Sequence, residues 1–201
     1  MVSNEQINVI KRNGRGKESL NIDKIHSMVG FATEGITGVS ASHVEMNSGL
    51  QFFDGISTDD IQQILIKSAN DLISLESPNY QYVAARLLLF SLRKNLFHRL
   101  WEHPKFIDHI KKLIDLGLYD KGILENYTEA EIDRMGMWID HERDYSFTYA
   151  GLRQVMDKYL VQDRSTGEIY ETPQFMYMMI SATLFAKYPT ESRLQYVKKY
   201  Y

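Results

Sequence analysis

A cluster of basic residues around a glycine-containing turn is the sharpest chemical feature of this 201-residue sequence. Lys11, Arg12, Arg15 and Lys17 lie within or beside the segment Asn13-Gly14-Arg15-Gly16. Positive side chains beside exposed backbone N–H groups suit the phosphate chain of a nucleotide. Turns are often charged for no reason beyond solubility, so this feature alone favours an ordinary hairpin tip.

Two further places could contact an anion. Thr58 offers a hydroxyl at the predicted start of a helix, where free N–H groups attract negative charge. Asp59 and Asp60 already complement the helix dipole there, and they would repel a phosphate unless cations or a metal ion intervened. Arg93 and Lys94 come near the end of a strongly apolar helix, where a cation stabilises the C-terminal dipole. Local sequence therefore favours a structural role at both places.

Other chemistries are poorly supported. The sequence has no cysteine, which excludes disulfides, thiolate metal sites and cysteine nucleophiles or radicals. None of its six histidines forms an HxxxH or HxxE pair on a helix, and no nucleophile motif, Walker loop or dinucleotide fingerprint is present. The run His141-Glu142-Arg143-Asp144 could supply acid–base groups, but a structural ion network is the favoured interpretation. We predict no catalytic residue and no metal ligand.

Composition limits the partners and the compartment. The formal net charge is -3, with 23 basic and 26 acidic residues, so no general attraction to nucleic acid or membranes is expected. The first residues lack the apolar region of a signal peptide, and no stretch approaches the length of a membrane span. We therefore expect a cytoplasmic protein with neither a nucleic-acid nor a membrane partner.

The elements that must position the basic cluster begin with a β-hairpin. Residues 6–22 alternate as strands do on either side of the glycine-containing turn. Helical periodicity then runs from Asp23 to about Gly35 and again from Ser42. A third helix is predicted with Thr58 as its N-cap. The helix from Asn79 to about Phe97 is apolar over most of its circumference and should be the most buried one. The first part is thus predicted as a short hairpin on about four helices.

The second half is also helical. Its helices are predicted to begin near Pro104, at the capping box of Thr128 and Glu131, near Thr148, at Thr172-Pro173 and at Thr190. A β-like turn over residues 163–170 interrupts them. The fold class is mainly α (α+β), with domains at 1–97 and 98–201. The last helix ends on apolar residues, as if a further polypeptide continued the fold.

These motifs resemble a known family. The opening resembles the ATP-cone, a nucleotide-sensing domain, in Val9-Ile10-Lys11-Arg12-Asn13-Gly14, Glu18-Ser19-Leu20-Asn21-Ile22-Asp23-Lys24-Ile25, Phe53-Asp54-Gly55-Ile56-Ser57-Thr58-Asp59-Asp60-Ile61, Tyr80-Gln81-Tyr82-Val83-Ala84-Ala85-Arg86-Leu87 and Leu92-Arg93-Lys94. The second half resembles the large (alpha) subunit of class I aerobic ribonucleotide reductase in Ile107-Asp108-His109, His141-Glu142-Arg143-Asp144, Phe147-Thr148-Tyr149, Lys158-Tyr159-Leu160-Val161, residues 166–175 and Arg193-Leu194-Gln195-Tyr196-Val197. The resemblance covers essentially the whole chain.

The resemblance implies an oxidoreductase that reduces ribonucleoside diphosphates to deoxyribonucleotides, the precursors of DNA replication, and depends on thioredoxin or glutaredoxin. In that family a cysteine radical does the chemistry, so this cysteine-free polypeptide should be inactive alone and hold no redox cofactor. The implied partners are the remainder of the large subunit, in the same or a separate chain, and the small radical-generating subunit, within a large-subunit dimer. The alternative is a free-standing ATP-cone regulatory sensor with no catalytic role.

The resemblance also implies an allosteric site for ATP or dATP, with Mg²⁺. Its cations would be Lys11 and Arg12 from the hairpin and Lys94 from the apolar helix. Glu18 and Asn21 would recognise the adenosine part, and Lys24 and Thr58 would complete the pocket, with Gln62 beside it. Gln62 and Ser91 occupy positions that are histidines in the best-known bacterial members, where they help to distinguish ATP from dATP. We therefore expect adenine-nucleotide binding with a weak inhibitory response to dATP.

Overall fold

A computed structural model describes residues 7–11, 16–49 and 51–201. Over these ranges the strands are β1 (Asn8–Ile10), β2 (Lys17–Ser19) and β3 (Ile56–Ser57). The helices are α1 (Ile22–Thr33), α2 (Ala41–Gly49), α3 (Thr58–Asp71), α4 (Tyr80–Phe97), α5 (Phe106–Asp115), α6 (Gly122–Asn126), α7 (Glu129–Trp138), a 3₁₀ helix (His141–Ser146), α8 (Tyr149–Lys158), α9 (Pro173–Phe185) and α10 (Arg193–Tyr200). The mainly α class with a small β component is confirmed. No helix in the described part of the chain is long and apolar enough to cross a membrane.

The small sheet has the strand order β2-β1-β3. β1 and β2 pair antiparallel, with Val9 opposite Glu18, which confirms the strands of the predicted hairpin. Its turn residues 12–15 lie outside the described residues. β3 was not predicted, because two residues are too few to display alternation. It pairs parallel to β1, with Val9 opposite Ile56 and Ile10 opposite Ser57.

The chain forms two compact units, and the first comprises residues 1–91 together with 145–152. The most buried helix is α4, as predicted, and its part up to residue 91 belongs to this unit: Val83, Ala84, Leu87 and Leu89 are fully buried. Apolar side chains around nearly the whole circumference require neighbours on all sides, which explains this central position.

The start of α3 differs from the prediction. The N-cap is Ser57, whose hydroxyl accepts the Asp60 N–H at 3.0 Å, and Thr58 is the first helical residue. The Ser57 hydroxyl also donates to the Asp60 carboxylate at 2.7 Å. Pairing with Ile10 keeps the backbone of Ser57 extended, so the helix can begin only after it. The local signal was present, since serine with an acidic residue three positions later forms this type of cap.

The second unit comprises residues 92–144 and 153–201. Its core joins side chains of α5, α7, α9 and α10, among them Ile110, Ile132, Phe175 and Val197. The capping box of Thr128 with Glu131 is present as predicted.

The β-like turn predicted over residues 163–170 is also present. Gln162 and Ile169 form an isolated antiparallel bridge, and Gly167 has a φ of 75°. Because the first unit includes residues 145–152, the compact units do not follow a single cut of the chain. The domain division between residues 97 and 98 therefore stays a prediction.

Candidate functional site

The sheet brings two predicted site residues to one edge. Lys11 follows the last residue of β1, and Thr58 follows the last residue of β3. Because β1 and β3 are parallel, both strands end at the same edge of the sheet. The N-terminus of α3 begins at this edge, and helix N-termini favour anions through their N–H groups and dipole.

Glu18 links two predicted cations. Its carboxylate lies 3.3 Å from the Lys11 ammonium and 3.3 Å from the Lys24 ammonium. Hydrogen bonds from Lys11 and then Lys24, with their charges, hold the pKa of Glu18 below its usual value. All three side chains are at least a third exposed, so the pairs are open to exchange with another anion.

Asn21 orients Lys24 from the start of α1. It is the N-cap residue, and its side-chain oxygen accepts the Lys24 N–H at 3.1 Å. The ammonium of Lys24 reaches back to the carboxylate of Glu18 on β2. The structure thus connects Lys11, Glu18, Asn21 and Lys24 through direct contacts, four of the eight residues predicted for the site.

Two predicted residues are placed differently, and a third, Arg12, lies outside the described residues. Lys94 is half-buried in the last turn of α4 and belongs to the second compact unit. Gln62 is 2% exposed, and its side-chain amide donates to the Leu87 carbonyl at 2.8 Å. That amide group is therefore committed to packing α3 against α4.

Ser91, the other position singled out for dATP discrimination, lies close to this contact. It is buried on α4, four residues after Leu87. In an α-helix the N–H of residue 91 bonds to the carbonyl of residue 87. Gln62 and the backbone of Ser91 thus converge on one carbonyl in the interior of the first unit.

The arrangement suits a ligand with several negative charges. Lys11 and Lys24 supply two cations that share one carboxylate. The first turn of α3 contains Asp59 and Asp60, and reciprocal hydrogen bonds with Ser57 hold Asp60 in place. A polyphosphate could replace the carboxylate of Glu18 as the partner of both lysines, because phosphate oxygens accept charge-assisted hydrogen bonds.

The polar run in the second unit forms a buried network. Asp144 lies 3.6 Å from the guanidinium of Arg93 and accepts a 2.7 Å hydrogen bond from Gln174. Arg93 also donates to the His141 carbonyl at 2.7 Å, and the Tyr201 hydroxyl donates to Gln174 at 2.6 Å. Burial raises the pKa of Asp144 to about 6. These contacts favour the structural interpretation of the run over acid–base chemistry.

Three histidines pack around Phe175 in the same unit. The rings of His103 and His141 are stacked with centroids 3.6 Å apart, and His109 stacks on Phe175 at 4.3 Å. Burial lowers the pKa of His103 to about 4 and the pKa values of His109 and His141 to about 3. Stacked rings cannot direct their nitrogens at a shared ion, and within the described ranges no group of histidine and acidic residues could hold a metal.

Comparison with known proteins finds a matching family for two parts of the chain. Residues 7–95 match the ATP cone domain, and residues 145–201 match the all-alpha domain of ribonucleotide reductase. An ATP cone domain implies that a nucleotide effector binds.

Similarity along nearly the whole of this chain points to one family. The chain is 50% identical over 198 residues to the ribonucleoside-diphosphate reductase 1 subunit alpha of Escherichia coli and to the subunit alpha of Haemophilus influenzae. It is 45% identical over 195 residues to the subunit alpha of Enterobacteria phage T4. The matches cover 98%, 98% and 97% of this chain, but only about a quarter of each relative's length. The chain is homologous to the N-terminal part of the ribonucleoside-diphosphate reductase alpha subunit.

Proposed function

We propose that this chain binds ATP and dATP as the overall-activity allosteric module of a ribonucleoside-diphosphate reductase alpha subunit. The observation that carries the proposal is the pairing of Lys11 and Lys24 with one exposed carboxylate, at the sheet edge where α3 begins. The match of residues 7–95 to the ATP cone domain supports it. The match of residues 145–201 favours a reductase piece over a free-standing sensor.

The triphosphate would lie against Lys11 and Lys24, displacing Glu18 from at least one of them. The released carboxylate would accept hydrogen bonds from the ribose hydroxyls, and Thr58 would donate its hydroxyl to a phosphate. Mg²⁺ bound to the phosphates would offset the charges of Asp59 and Asp60. Arg12 and Lys94 would add further cations, as the family resemblance implies.

The whole enzyme would reduce ribonucleoside diphosphates to deoxyribonucleotides for DNA synthesis in the cytoplasm. This cysteine-free chain would contribute regulation and no radical chemistry. It would act with the remainder of the alpha subunit, in the same or a separate polypeptide, and with the small radical-generating subunit. The complete large subunit would form a dimer.

Calorimetric titration of ATP and dATP into the full chain tests the proposal. Lys11→Ala and Lys24→Ala should each weaken binding about tenfold or more, because a charge-assisted hydrogen bond contributes roughly 1.5–3 kcal/mol. The family resemblance predicts a comparable loss for Lys94→Ala. Lys67→Ala is the matched control, since Lys67 is an exposed lysine on α3 that pairs with Asp71. No binding by the unmodified chain would overturn the proposal, as would equal losses for the control and the site variants.

A further inference from the structure

The strand pair that positions the proposed site is very short. Among the described residues, two pairs define the register of β1 against β3: Val9 with Ile56 and Ile10 with Ser57. Lys11 and Thr58 follow directly on these strands, so this register sets their relative position. A slip of one residue would move Lys11 by about 3.3 Å along the strand and turn its side chain to the opposite face.

Asp54 holds the other end of this strand pair. One of its carboxylate oxygens accepts the backbone N–H of Asn8 at 2.8 Å and the side-chain amide of Asn8 at 2.9 Å. The next residue, Gly55, donates its N–H to the Asn8 carbonyl at 2.8 Å. Three hydrogen bonds thus connect Asn8 with two consecutive residues just before β3.

The conformation of this connection depends on glycine. Gly55 has a φ of 84°, a value that residues with a Cβ rarely adopt. This turn lets the backbone of Gly55 and the side chain of Asp54 reach the same residue of β1. The hydrogen bonds of Asn8 lower the pKa of Asp54 below its usual value, so the acceptor stays charged at neutral pH.

We propose that Asp54 is a positioning residue of the effector site: by holding Asn8, it sets the register of β1 against β3 and thereby places Lys11 opposite Thr58. Asp54 itself need not contact the nucleotide. The inference rests on the proposed function, because it assigns a role in the same site. In the sequence Asp54 stands out only as part of a motif that resembles the ATP-cone, since nothing in the residue order shows that its partner lies 46 positions earlier.

Two substitutions separate the hydrogen bonds from the charge. Asp54→Ala removes the acceptor and should weaken ATP binding about tenfold, as expected for a misplaced charge-assisted contact. Asp54→Asn should stay within about threefold of wild type, because both bonds converge on one oxygen that an amide carbonyl can replace. Asn8→Ala removes the side-chain bond to Asp54 but keeps the backbone bond, and it should give an intermediate loss. Asp71→Ala, which removes an exposed carboxylate at the end of α3, should leave affinity unchanged.

A double-mutant cycle distinguishes positioning from a general loss of stability. If Asp54 acts through Lys11, Asp54→Ala should cost little further affinity once Lys11 is alanine. Titrations at a temperature where circular dichroism shows every variant folded would supply the four binding constants. Amide exchange at Val9 and Ile10, measured without nucleotide, should rise in Asp54→Ala and not in Asp54→Asn.

The outcomes are separable. Fully additive losses in the cycle would overturn the positioning role, as would wild-type affinity in Asp54→Ala. A tenfold loss in Asp54→Asn would also overturn it, because the charge and not the register would then matter. No ATP binding by the unmodified chain would overturn the proposed function and this inference together. Unchanged amide exchange in Asp54→Ala would contradict the inference alone.

Discussion

The side-chain amide of Gln62 donates a 2.8 Å hydrogen bond to the backbone carbonyl of Leu87, joining α3 to α4 in the interior of the first unit. Helix geometry assigns the N–H of Ser91 to the same carbonyl. The two positions that the family resemblance connects with dATP discrimination are therefore both buried here and meet at one atom. Neither side chain is presented to solvent, where it could respond directly to a ligand.

We expect dATP to be a weak inhibitor of the holoenzyme reassembled from this chain, the remainder of the alpha subunit and the small subunit. The amide of Gln62 is fixed by its carbonyl acceptor and cannot change its protonation or its partner as histidine can. Activity measured during a dATP titration should stay well above background at saturation. The double variant Gln62→His with Ser91→His should show stronger inhibition. Complete inhibition of the unmodified enzyme by dATP would refute this expectation.

Gln62→Glu should destabilise the first unit by about 2–4 kcal/mol at neutral pH, because it buries a carboxylate against a carbonyl oxygen. Burial should raise the pKa of that glutamate in the folded state. The loss should therefore be smallest below the unfolded pKa of about 4.3 and grow as the pH rises through the higher folded pKa. Urea unfolding between pH 4 and 8 measures this. The control is Gln63→Glu at the exposed neighbouring position. An equal loss of stability with the same pH dependence in both variants would contradict the buried hydrogen bond of Gln62.

Glu18→Gln should change the selectivity of the site. Removing the charge releases Lys11 and Lys24, so inorganic tripolyphosphate should bind about threefold to tenfold more tightly. ATP should gain less or lose affinity, since the same carboxylate is the proposed acceptor for the ribose hydroxyls. Competition calorimetry with both ligands gives the ratio of the two constants. An unchanged ratio would show that Glu18 has no part in recognising the nucleoside.

The stability of the second unit should fall as the pH is lowered from about 6.5 towards 4. The folded-state pKa values of His103, His109 and His141 are about 4, 3 and 3, so the unfolded chain binds more protons across this range. Asp144 opposes this trend, because its raised pKa makes the folded state gain a proton as the pH falls through about 6. Buried Glu171, whose pKa is also raised, acts in the same direction as Asp144. The lowered pKa values of three histidines should outweigh the raised pKa values of two carboxyl groups, so the net effect of acid should be a loss of stability.

The variant His141→Phe tests this balance. It keeps a stacked ring on His103 and removes one titrating group, so its Tm should depend less on pH between 6.5 and 4. The control is His26→Phe, which changes an exposed histidine of the first unit. A profile as steep as that of wild type would show that another group dominates the acid sensitivity.

Arg193→Lys should destabilise the second unit by about 1–3 kcal/mol, although it conserves the charge. Two nitrogens of Arg193 donate to the Glu131 carboxylate, Nε at 2.9 Å and a terminal guanidinium nitrogen at 2.7 Å, and the guanidinium carbon lies 4.4 Å from the centroid of the Tyr127 ring. Lysine has one donor nitrogen in place of these two, and it lacks the planar guanidinium that lies over the Tyr127 ring. The matched control is Arg153→Lys, since Arg153 forms an exposed pair with Asp157 on α8. Chemical unfolding should show a loss of at most about 0.5 kcal/mol for the control. A similar loss in both variants would contradict the argument.

Much of the secondary structure could be predicted because its causes are local. The apolar circumference of α4, the capping box at Thr128 and the proline that begins α9 each depend on residues within a few positions of one another. The strands of the basic hairpin were predicted for the same reason, whereas Lys24 entered the predicted site only through the family resemblance. The absence of cysteine, which a count establishes, excludes thiol chemistry from this chain.

The tertiary structure decided what depends on distant partners. β3 forms by pairing with β1. This pairing keeps Ser57 extended, so Ser57 and not the predicted Thr58 is the N-cap of α3. The burial of Gln62 depends on a carbonyl 25 positions away, and the connection from Asp54 to Asn8 spans 46 positions. Residue order shows which groups are present but not how far apart they lie in the folded chain, because a hydrogen bond between distant residues depends on how the helices and strands pack.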